Sequence, residues 1–117
     1  KSGQYAVVLG GGPIGALIAL VAKSQGASVL VSEINPYRIE LLNGLGVETV
    51  DPRATDLPAY VKTETEGIGA DVVFEVTGHP SGIEMATRLP KARGVIMSWG
   101  SSQIPQKSTC FSFSGRN

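Results

Sequence analysis

The segment Gly10-Gly11-Gly12-Pro13-Ile14-Gly15 decides the fold of this chain. It follows Gln4–Leu9, a nearly continuous apolar run typical of a strand buried on both faces, and it opens an apolar pattern with helical spacing. Gly10 permits a tight turn, Gly12 lets a ligand approach the backbone, and Gly15 lets the helix pack close to the strand. The sequence therefore predicts a strand, a glycine turn and a helix whose N-terminus attracts phosphate groups.

An acidic residue follows the next predicted strand. Ser28–Ser32 reads as that strand, and Glu33 comes directly after it. A carboxylate there accepts both hydroxyls of an adenosine ribose and repels a 2′-phosphate, which favours NAD over NADP. Arg38 is a nearby cation that could instead serve a 2′-phosphate, but beside Glu33 we expect its stem to pack on the adenine side. The weaker alternative for Glu33 is a solvated acid before a helix cap.

Strands and helices alternate along the whole chain. This pattern predicts an α/β fold of the Rossmann type, with three layers, a mostly parallel sheet of about six strands, and helices on both faces. We expect the strand order 3-2-1-4-5 with the last strand on the outer edge. The later strands are predicted at Val47–Val50, Asp71–Thr77, Gly94–Trp99 and Cys110–Arg116, and a capping box is predicted at Ser81-Gly82-Ile83-Glu84.

The predicted strand ends share one edge of the sheet. Carboxyl ends of parallel strands lie together, and ligands bind where the strand order reverses. The carboxyl ends of predicted strands lie at Gly10, Glu33, Thr77-Gly78 and Trp99-Gly100. One elongated dinucleotide could therefore contact all of them.

Composition limits the other function classes. The formal net charge is zero, which predicts neither a nucleic-acid partner nor an anionic membrane partner. No apolar run approaches the roughly 20 residues that span a bilayer, and no leader is expected. Cys110 is the single cysteine, so no intrachain disulfide or thiolate metal cluster forms, and we expect a cytoplasmic protein. Residues 1–117 are predicted to be one domain, taken from a longer polypeptide.

Four segments together resemble the cofactor domain of the medium-chain dehydrogenase/reductase superfamily, and most resemble its zinc-dependent polyol, sorbitol and threonine dehydrogenases. The resemblance extends from about Tyr5 to Ser101, and the tail matches more loosely. The segments are VVLGGGPIGALIALVAKSQGA, VLVSEINPYRIELLNGLGVETVDP, GIGADVVFEVTG and RGVIMSWGS.

The resemblance implies a set of cofactor contacts. Gly12, Pro13 and Ile14 would lie along the pyrophosphate. Glu33 would hold the adenosine ribose, with Ile34 and Arg38 at the adenine end. The remaining contacts would come from Thr77, Gly78 and His79 on the adenosine side, from Trp99, Gly100 and Ser101 on the nicotinamide side, and from Ser114 near the carboxamide. Trp99 departs from the small aliphatic residue that is usual at its position.

The resemblance also implies what this chain lacks. Family members carry a separate catalytic domain, which supplies the zinc ligands and the proton relay and binds the alcohol or polyol. We therefore expect no catalytic residue and no metal ligand here, and we expect zinc to belong to the parent enzyme. His79 and Cys110 cannot form a zinc site unaided. In the family, the strand corresponding to Cys110–Arg116 pairs with its copy, which predicts a homodimer.

Glu75 interrupts a predicted central strand that is otherwise apolar. Burying a carboxylate is costly unless it is paired. We expect Glu75 to face a partly wet cleft or a domain outside this chain, and the alternative is a functional group with a shifted pKa.

Three function classes stay open on the sequence. The first is the coenzyme half of an NAD-dependent alcohol or polyol dehydrogenase, which binds NAD(H) without turnover in isolation. The second is a non-enzymatic NAD(H) sensor that regulates another protein. The third is an S-adenosylmethionine methyltransferase, whose usual antiparallel last strand and looser glycine pattern fit less well.

Overall fold

The computed structural model describes residues 3–98 and 110–112 of the chain. Within this part, strands and helices alternate as the sequence predicts. The elements are β1 (Tyr5–Leu9), α1 (Pro13–Ser24), β2 (Ser28–Ser32), α2 (Pro36–Gly44), β3 (Glu48–Val50), α3 (Leu57–Glu64), β4 (Ala70–Glu75), α4 (Pro80–Ala86), β5 (Pro90–Ser98) and β6 (Cys110–Ser112).

The strands form one sheet in the order β3-β2-β1-β4-β5-β6. Strands β1 to β5 are parallel, and β6 runs antiparallel to β5 on the outer edge. In the centre of the sheet, Val7 pairs with Leu30 on one side and with Val73 on the other. The predicted Rossmann-type α/β class and strand order are confirmed. The order reverses between β1 and β4, which places a binding crevice at their carboxyl ends.

The core consists of two apolar layers, one on each face of the sheet. Every residue of β1 is buried, because the strand is covered on both faces. Val7 and its neighbours on that face pack against Leu57 and Val61 of α3 and against α4. Val8 faces the opposite layer, which contains Ala19 of α1 and Leu42 of α2. This arrangement holds the carboxyl end of β1 rigidly beneath the crevice.

Helix α1 starts at Pro13, at the first helical position, as its fixed φ angle favours. Its buried residues are the small ones, Gly15 and Ala19. The larger Leu17 and Val21 remain 62% and 52% exposed. The helix therefore lies close to the sheet on its small side chains.

Several element boundaries differ from the predictions: β1 begins at Tyr5 instead of Gln4, β3 begins at Glu48 instead of Val47, and β4 spans Ala70–Glu75 instead of Asp71–Thr77. Two further differences, at α4 and β5, have a physical cause. The capping box at Ser81 is wrong: α4 begins at Pro80 with His79 as its N-cap, and no side chain caps it. Proline suits the first helical position, so the helix starts two residues earlier than a cap at Ser81 would place it. Strand β5 begins at Pro90 instead of Gly94, since the chain pairs with Ala70 before a register shift.

Two further findings bear on the expectations for the whole chain. No helix in the described residues is long and apolar enough to cross a membrane. The predicted last strand, Cys110–Arg116, is observed as Cys110–Ser112, and its remaining residues lie outside the described part.

Candidate functional site

A cleft of about 670 Å³ opens where the strand order reverses, at the carboxyl ends of the parallel strands. The structure brings most of the predicted site residues together there. Those that line the cleft are Gly10, Gly12, Pro13, Ile14, Gly15, Glu33, Ile34, Arg38 and Thr77. His79 also lines it, whereas Gly78 does not.

The glycine turn takes the shape that its sequence requires. Gly10 has a φ of 112°, which is a conformation that favours glycine, and its N–H donates to the carbonyl oxygen of Ser32 over 2.9 Å. A Cβ atom on Gly15 would overlap the carbonyl oxygen of Gly10. Glycine at both positions therefore lets α1 start directly above the strand.

The N-terminus of α1 faces the cleft without a protein cap. Gly12 is the N-cap, no side chain accepts a hydrogen bond from this turn, and the first turn contains no acidic residue. The positive end of the helix dipole is thus available to an anion. The part of the cleft at the N-terminus of α1 fits a phosphate group, because Gly12 and Pro13 place only backbone and ring atoms along it.

Glu33 is held in place by backbone hydrogen bonds. Its side chain is buried, and Oε1 accepts from the N–H of Gly11 over 2.5 Å. Oε2 accepts from the N–H groups of Ile34, over 3.0 Å, and Asn35, over 2.9 Å. A carboxylate oxygen accepts about two hydrogen bonds. These contacts therefore fill Oε2 and leave one acceptor position at Oε1.

Arg38 lies beside this carboxylate. One guanidinium nitrogen is 3.8 Å from Oε1 of Glu33, and the side chain is about half exposed. The guanidinium also lies over the glycine turn, since a Cβ on Gly12 would be 3.5 Å from Arg38 Nη1. The cleft thus carries a cation next to the acid.

The loop between β4 and α4 forms the opposite wall. Gly10 is packed against it: a Cβ on Gly10 would lie 3.2 Å from a methyl group of Thr77. Gly78 has a φ of 73° and turns its N–H inward, where it donates to Glu75 Oε1 over 3.2 Å. This inward direction explains why Gly78 does not line the cleft.

The expectation that Glu75 faces a partly wet cleft or another domain is wrong. Its side chain is fully buried within this chain. The carboxylate is instead satisfied by the loop that follows it, through Thr77 and Gly78.

Sequence reasoning missed part of the cleft wall. The additional lining residues are Leu9, Ser32, Pro52, Leu57, Val76, Ser81, Gly82 and Met85. Pro52 follows β3, whose carboxyl end reaches the same edge as those of β1, β2 and β4. Its position just after a predicted parallel strand is the sequence signal that indicates this place.

Some predicted positions lie outside the described residues, namely Trp99, Gly100, Ser101 and Ser114. Across residues 3–98 and 110–112, no group of three or more His, Cys, Asp or Glu side chains could hold a metal ion. The described side chains therefore do not fit a zinc site.

Comparisons with known proteins agree with this geometry. The model of the zinc-binding dehydrogenase family matches residues 13–116. The chain is 55% identical over 97 residues to 2-dehydro-3-deoxy-L-galactonate 5-dehydrogenase of Pseudoalteromonas atlantica, covering 83% of this chain and 28% of that protein.

Solved structures show the same fold in proteins of related sequence. A protein of Sinorhizobium meliloti described as a zinc-binding dehydrogenase, bound to NADP, superposes with a TM-score of 0.79 at 33% identity, covering 92% of this chain and 32% of that one. The 2R,3R-butanediol dehydrogenase of Bacillus subtilis gives a TM-score of 0.75 at 38% identity, covering 87% and 31%. This chain thus spans about a third of the length of these relatives.

Proposed function

Because the chain belongs to the zinc-binding dehydrogenase family, we propose that it is the coenzyme-binding part of an NAD-dependent alcohol or polyol dehydrogenase. The nicotinamide coenzyme supplies the hydride chemistry when bound, and the protein contributes binding, orientation and electrostatics. The similar proteins named as galactonate-derivative and butanediol dehydrogenases support a hydroxyl-bearing substrate. That substrate, the zinc ion and the catalytic residues belong to the parent enzyme, so the isolated chain binds coenzyme without turnover.

The observation that carries the proposal is the hydrogen bond between Gly11 and Glu33. It joins the glycine turn after β1 to the acid after β2 in one cleft. A phosphate group at the N-terminus of α1 and a ribose hydroxyl at Glu33 would then belong to one ligand. A dinucleotide contains both groups.

Different residues along the cleft would contact different parts of the dinucleotide. Backbone atoms of Gly12 and Ile14 would hold the pyrophosphate with the help of the α1 dipole. Glu33 would accept one ribose hydroxyl at the free position of Oε1, and Ile34 would provide an apolar contact at the adenine end. The expected contacts of Trp99, Gly100 and Ser101 with the nicotinamide half stay predictions.

We propose NAD as the preferred coenzyme over NADP. Glu33 is an acid at the position where a 2′-phosphate would arrive, and like charges repel. Arg38 lies 3.8 Å from that acid, so part of its charge is already engaged. The similar Sinorhizobium meliloti protein is bound to NADP, which makes the choice of coenzyme a necessary measurement.

A fluorescence titration with NADH tests the proposed site. The Gly12→Ala variant is informative, because a Cβ there meets only ordinary contacts with Arg38, the closest at 3.5 Å, and the backbone φ is −70°. The fold should therefore survive while the methyl group obstructs the pyrophosphate. We expect roughly tenfold weaker NADH binding.

Gly44→Ala is the matched control, since a Cβ at Gly44 meets nothing within 4 Å and the residue lies away from the cleft. It should bind NADH like the wild type. Equal NADH affinity in Gly12→Ala and wild type would exclude the glycine turn as the binding site.

We further propose that the chain forms a homodimer through the segment Cys110–Arg116. Strand β6 is the outermost strand of the sheet, and an edge strand offers unpaired backbone groups to another strand. Light scattering across a concentration series tests this. A monomer at the highest concentration would refute it.

The remaining alternatives are weaker. The antiparallel β6 removes one argument against an S-adenosylmethionine methyltransferase. The family match and the dehydrogenase names of the similar proteins nevertheless favour a dehydrogenase over a methyltransferase or a regulatory NAD(H) sensor. The cytoplasmic location, the absence of nucleic-acid and membrane partners, and the folding of residues 1–117 as one domain stay predictions.

A further inference from the structure

Glu75 is a carboxylate buried at the centre of the fold. It is the last residue of β4, which lies between β1 and β5, and its side chain has no exposed surface. None of the ion pairs formed by the described residues includes it. A buried charge without a counterion is unfavourable unless hydrogen bonds compensate it. The groups that compensate Glu75 therefore indicate what it holds.

The compensating groups all come from the loop that follows β4. Oε2 accepts hydrogen bonds from the backbone N–H of Thr77, over 3.0 Å, and from the Thr77 hydroxyl. Oε1 accepts from the N–H of Gly78, over 3.2 Å. The Thr77 hydroxyl in turn accepts from the N–H of His79 over 3.0 Å. Bonds to an ionised acceptor are stronger than neutral ones, so the carboxylate fixes this loop in one conformation.

The fixed loop is also part of the cleft wall. Thr77 lines the cleft, and its methyl group would lie 3.2 Å from a Cβ atom placed on Gly10. Gly82, in the first turn of α4, lies so close that a Cβ on it would overlap both Glu75 Oε2 and the Thr77 hydroxyl. The carboxylate is thus enclosed by two segments of the cleft wall, the loop and the start of α4.

We propose that Glu75 is a positioning residue for the dinucleotide site. Its carboxylate sets the place of Thr77 and of the start of α4 opposite the glycine turn, and so controls the affinity for the coenzyme. This inference rests on the proposed function, since the ligand is the dinucleotide.

A carboxylate is required at position 75 because both of its oxygens accept hydrogen bonds and neither donates one. In Glu75→Gln, one oxygen can still accept from Thr77, but the amide group then directs N–H donors at the N–H of Gly78. The two donors repel, and the loop moves away from its place. Thr77→Val removes the hydroxyl bond while it retains the branched shape, and Thr77→Ser retains the hydroxyl.

The test compares NADH dissociation constants and melting temperatures of these variants with the wild type. We expect Glu75→Gln and Thr77→Val each to weaken NADH binding roughly tenfold, and Thr77→Ser to bind nearly as the wild type does. Val61→Ala is the control for stability alone, because Val61 is buried in α3 and does not line the cleft. It should lower the melting temperature and leave NADH affinity unchanged at temperatures where it is folded.

The outcomes separate this proposal from the proposed function. A wild-type chain that does not bind NADH would overturn both. A wild-type chain that binds NADH, with Thr77→Val and Glu75→Gln binding equally well, would overturn only the positioning role. If Glu75→Gln does not fold, Thr77→Val against Thr77→Ser decides the question, since Thr77 is exposed. Weakening in Val61→Ala equal to that in Thr77→Val would assign the effect to general stability and also overturn the role.

Discussion

The backbone N–H of Gly11 donates to Oε1 of Glu33 over 2.5 Å. This bond fixes the acid that follows β2 against the glycine turn that follows β1. A side chain on Gly11 has no space, since its Cβ would lie 2.8 Å from a methyl group of Leu42. Glycine at this position therefore lets the acid approach, and the acid reaches the cleft with only one acceptor position left.

The charge of Glu33 should decide between the two coenzymes. Glu33→Gln removes the negative charge that repels a 2′-phosphate and retains one oxygen as an acceptor. Its amide group directs N–H donors at backbone N–H groups, which weakens both coenzymes alike, so the ratio of their dissociation constants isolates the effect of the charge. We expect the ratio of NADPH to NADH dissociation constants to fall about tenfold, measured by fluorescence titration. Glu40→Gln is the control, because Glu40 is an exposed acid of α2 away from the cleft. An unchanged ratio in Glu33→Gln would mean that this acid does not select the coenzyme.

Gly15 should be indispensable for folding. Its Cβ would overlap the carbonyl oxygen of Gly10, and backbone atoms cannot move aside as a side chain does. We expect Gly15→Ala to lower the free energy of unfolding by about 3 kcal/mol in urea denaturation. Gly44→Ala should not destabilise the chain, since alanine is the better helix former and meets no neighbour within 4 Å there. Wild-type stability in Gly15→Ala would contradict the close approach of helix and strand.

Tyr5 should tolerate the loss of its hydroxyl. The Tyr5 hydroxyl oxygen is buried and has no hydrogen-bond partner among the described residues, so it loses its hydration on folding without compensation. Burial, with nearby Glu48 and Glu64, raises the pKa of this phenol. We expect Tyr5→Phe to raise the free energy of unfolding by about 1 kcal/mol. A destabilised Tyr5→Phe variant would reveal a partner for the hydroxyl.

Tyr60 should make stability sensitive to alkaline pH. Its hydroxyl donates to Glu48, and this bond is the main reason that the pKa of Tyr60 is raised to about 12. In the unfolded chain, Tyr60 loses its hydroxyl proton near the ordinary tyrosine pKa of about 10. The stabilisation of the folded state by the Tyr60–Glu48 bond is therefore complete below that pH and is lost as the pH rises toward 12. Urea midpoints should fall more steeply in this range for the wild type than for Tyr60→Phe, and parallel curves would contradict the assignment.

The sequence predicts the features of this fold that follow from local backbone constraints. The glycine turn, the acid after β2 and the alternation of elements depend on residues close together in the chain. The face on which α1 packs does not follow from its apolar spacing. Ile14, Leu17 and Val21 recur at helical spacing, yet all three are exposed in the structure, because the stretch PIGALIALVA is apolar nearly all round. The close approach at Gly15 sets the packing face, together with Ala19, and leaves Leu17 exposed.

The candidate site also contains features that the sequence predicts and features that it does not. Glu33 was predictable because an acid at the end of β2 has a defined role, whereas the environment of Glu75 was not. A carboxylate in an apolar strand is costly to bury, but the sequence does not show which groups compensate it. In the structure these groups are the backbone N–H groups of Thr77 and Gly78 and the Thr77 hydroxyl. Pro52 and Leu57 line the cleft because they belong to the crossover after β3. The position of that crossover depends on tertiary packing, which the local sequence does not show.

A calorimetric titration of the purified wild-type chain with NADH and, separately, with NADPH tests most directly whether the cleft binds a dinucleotide and prefers NAD. We expect saturable binding at one site per chain, with NADH bound more tightly than NADPH. Absence of binding for both coenzymes, or tighter binding of NADPH, would contradict this expectation.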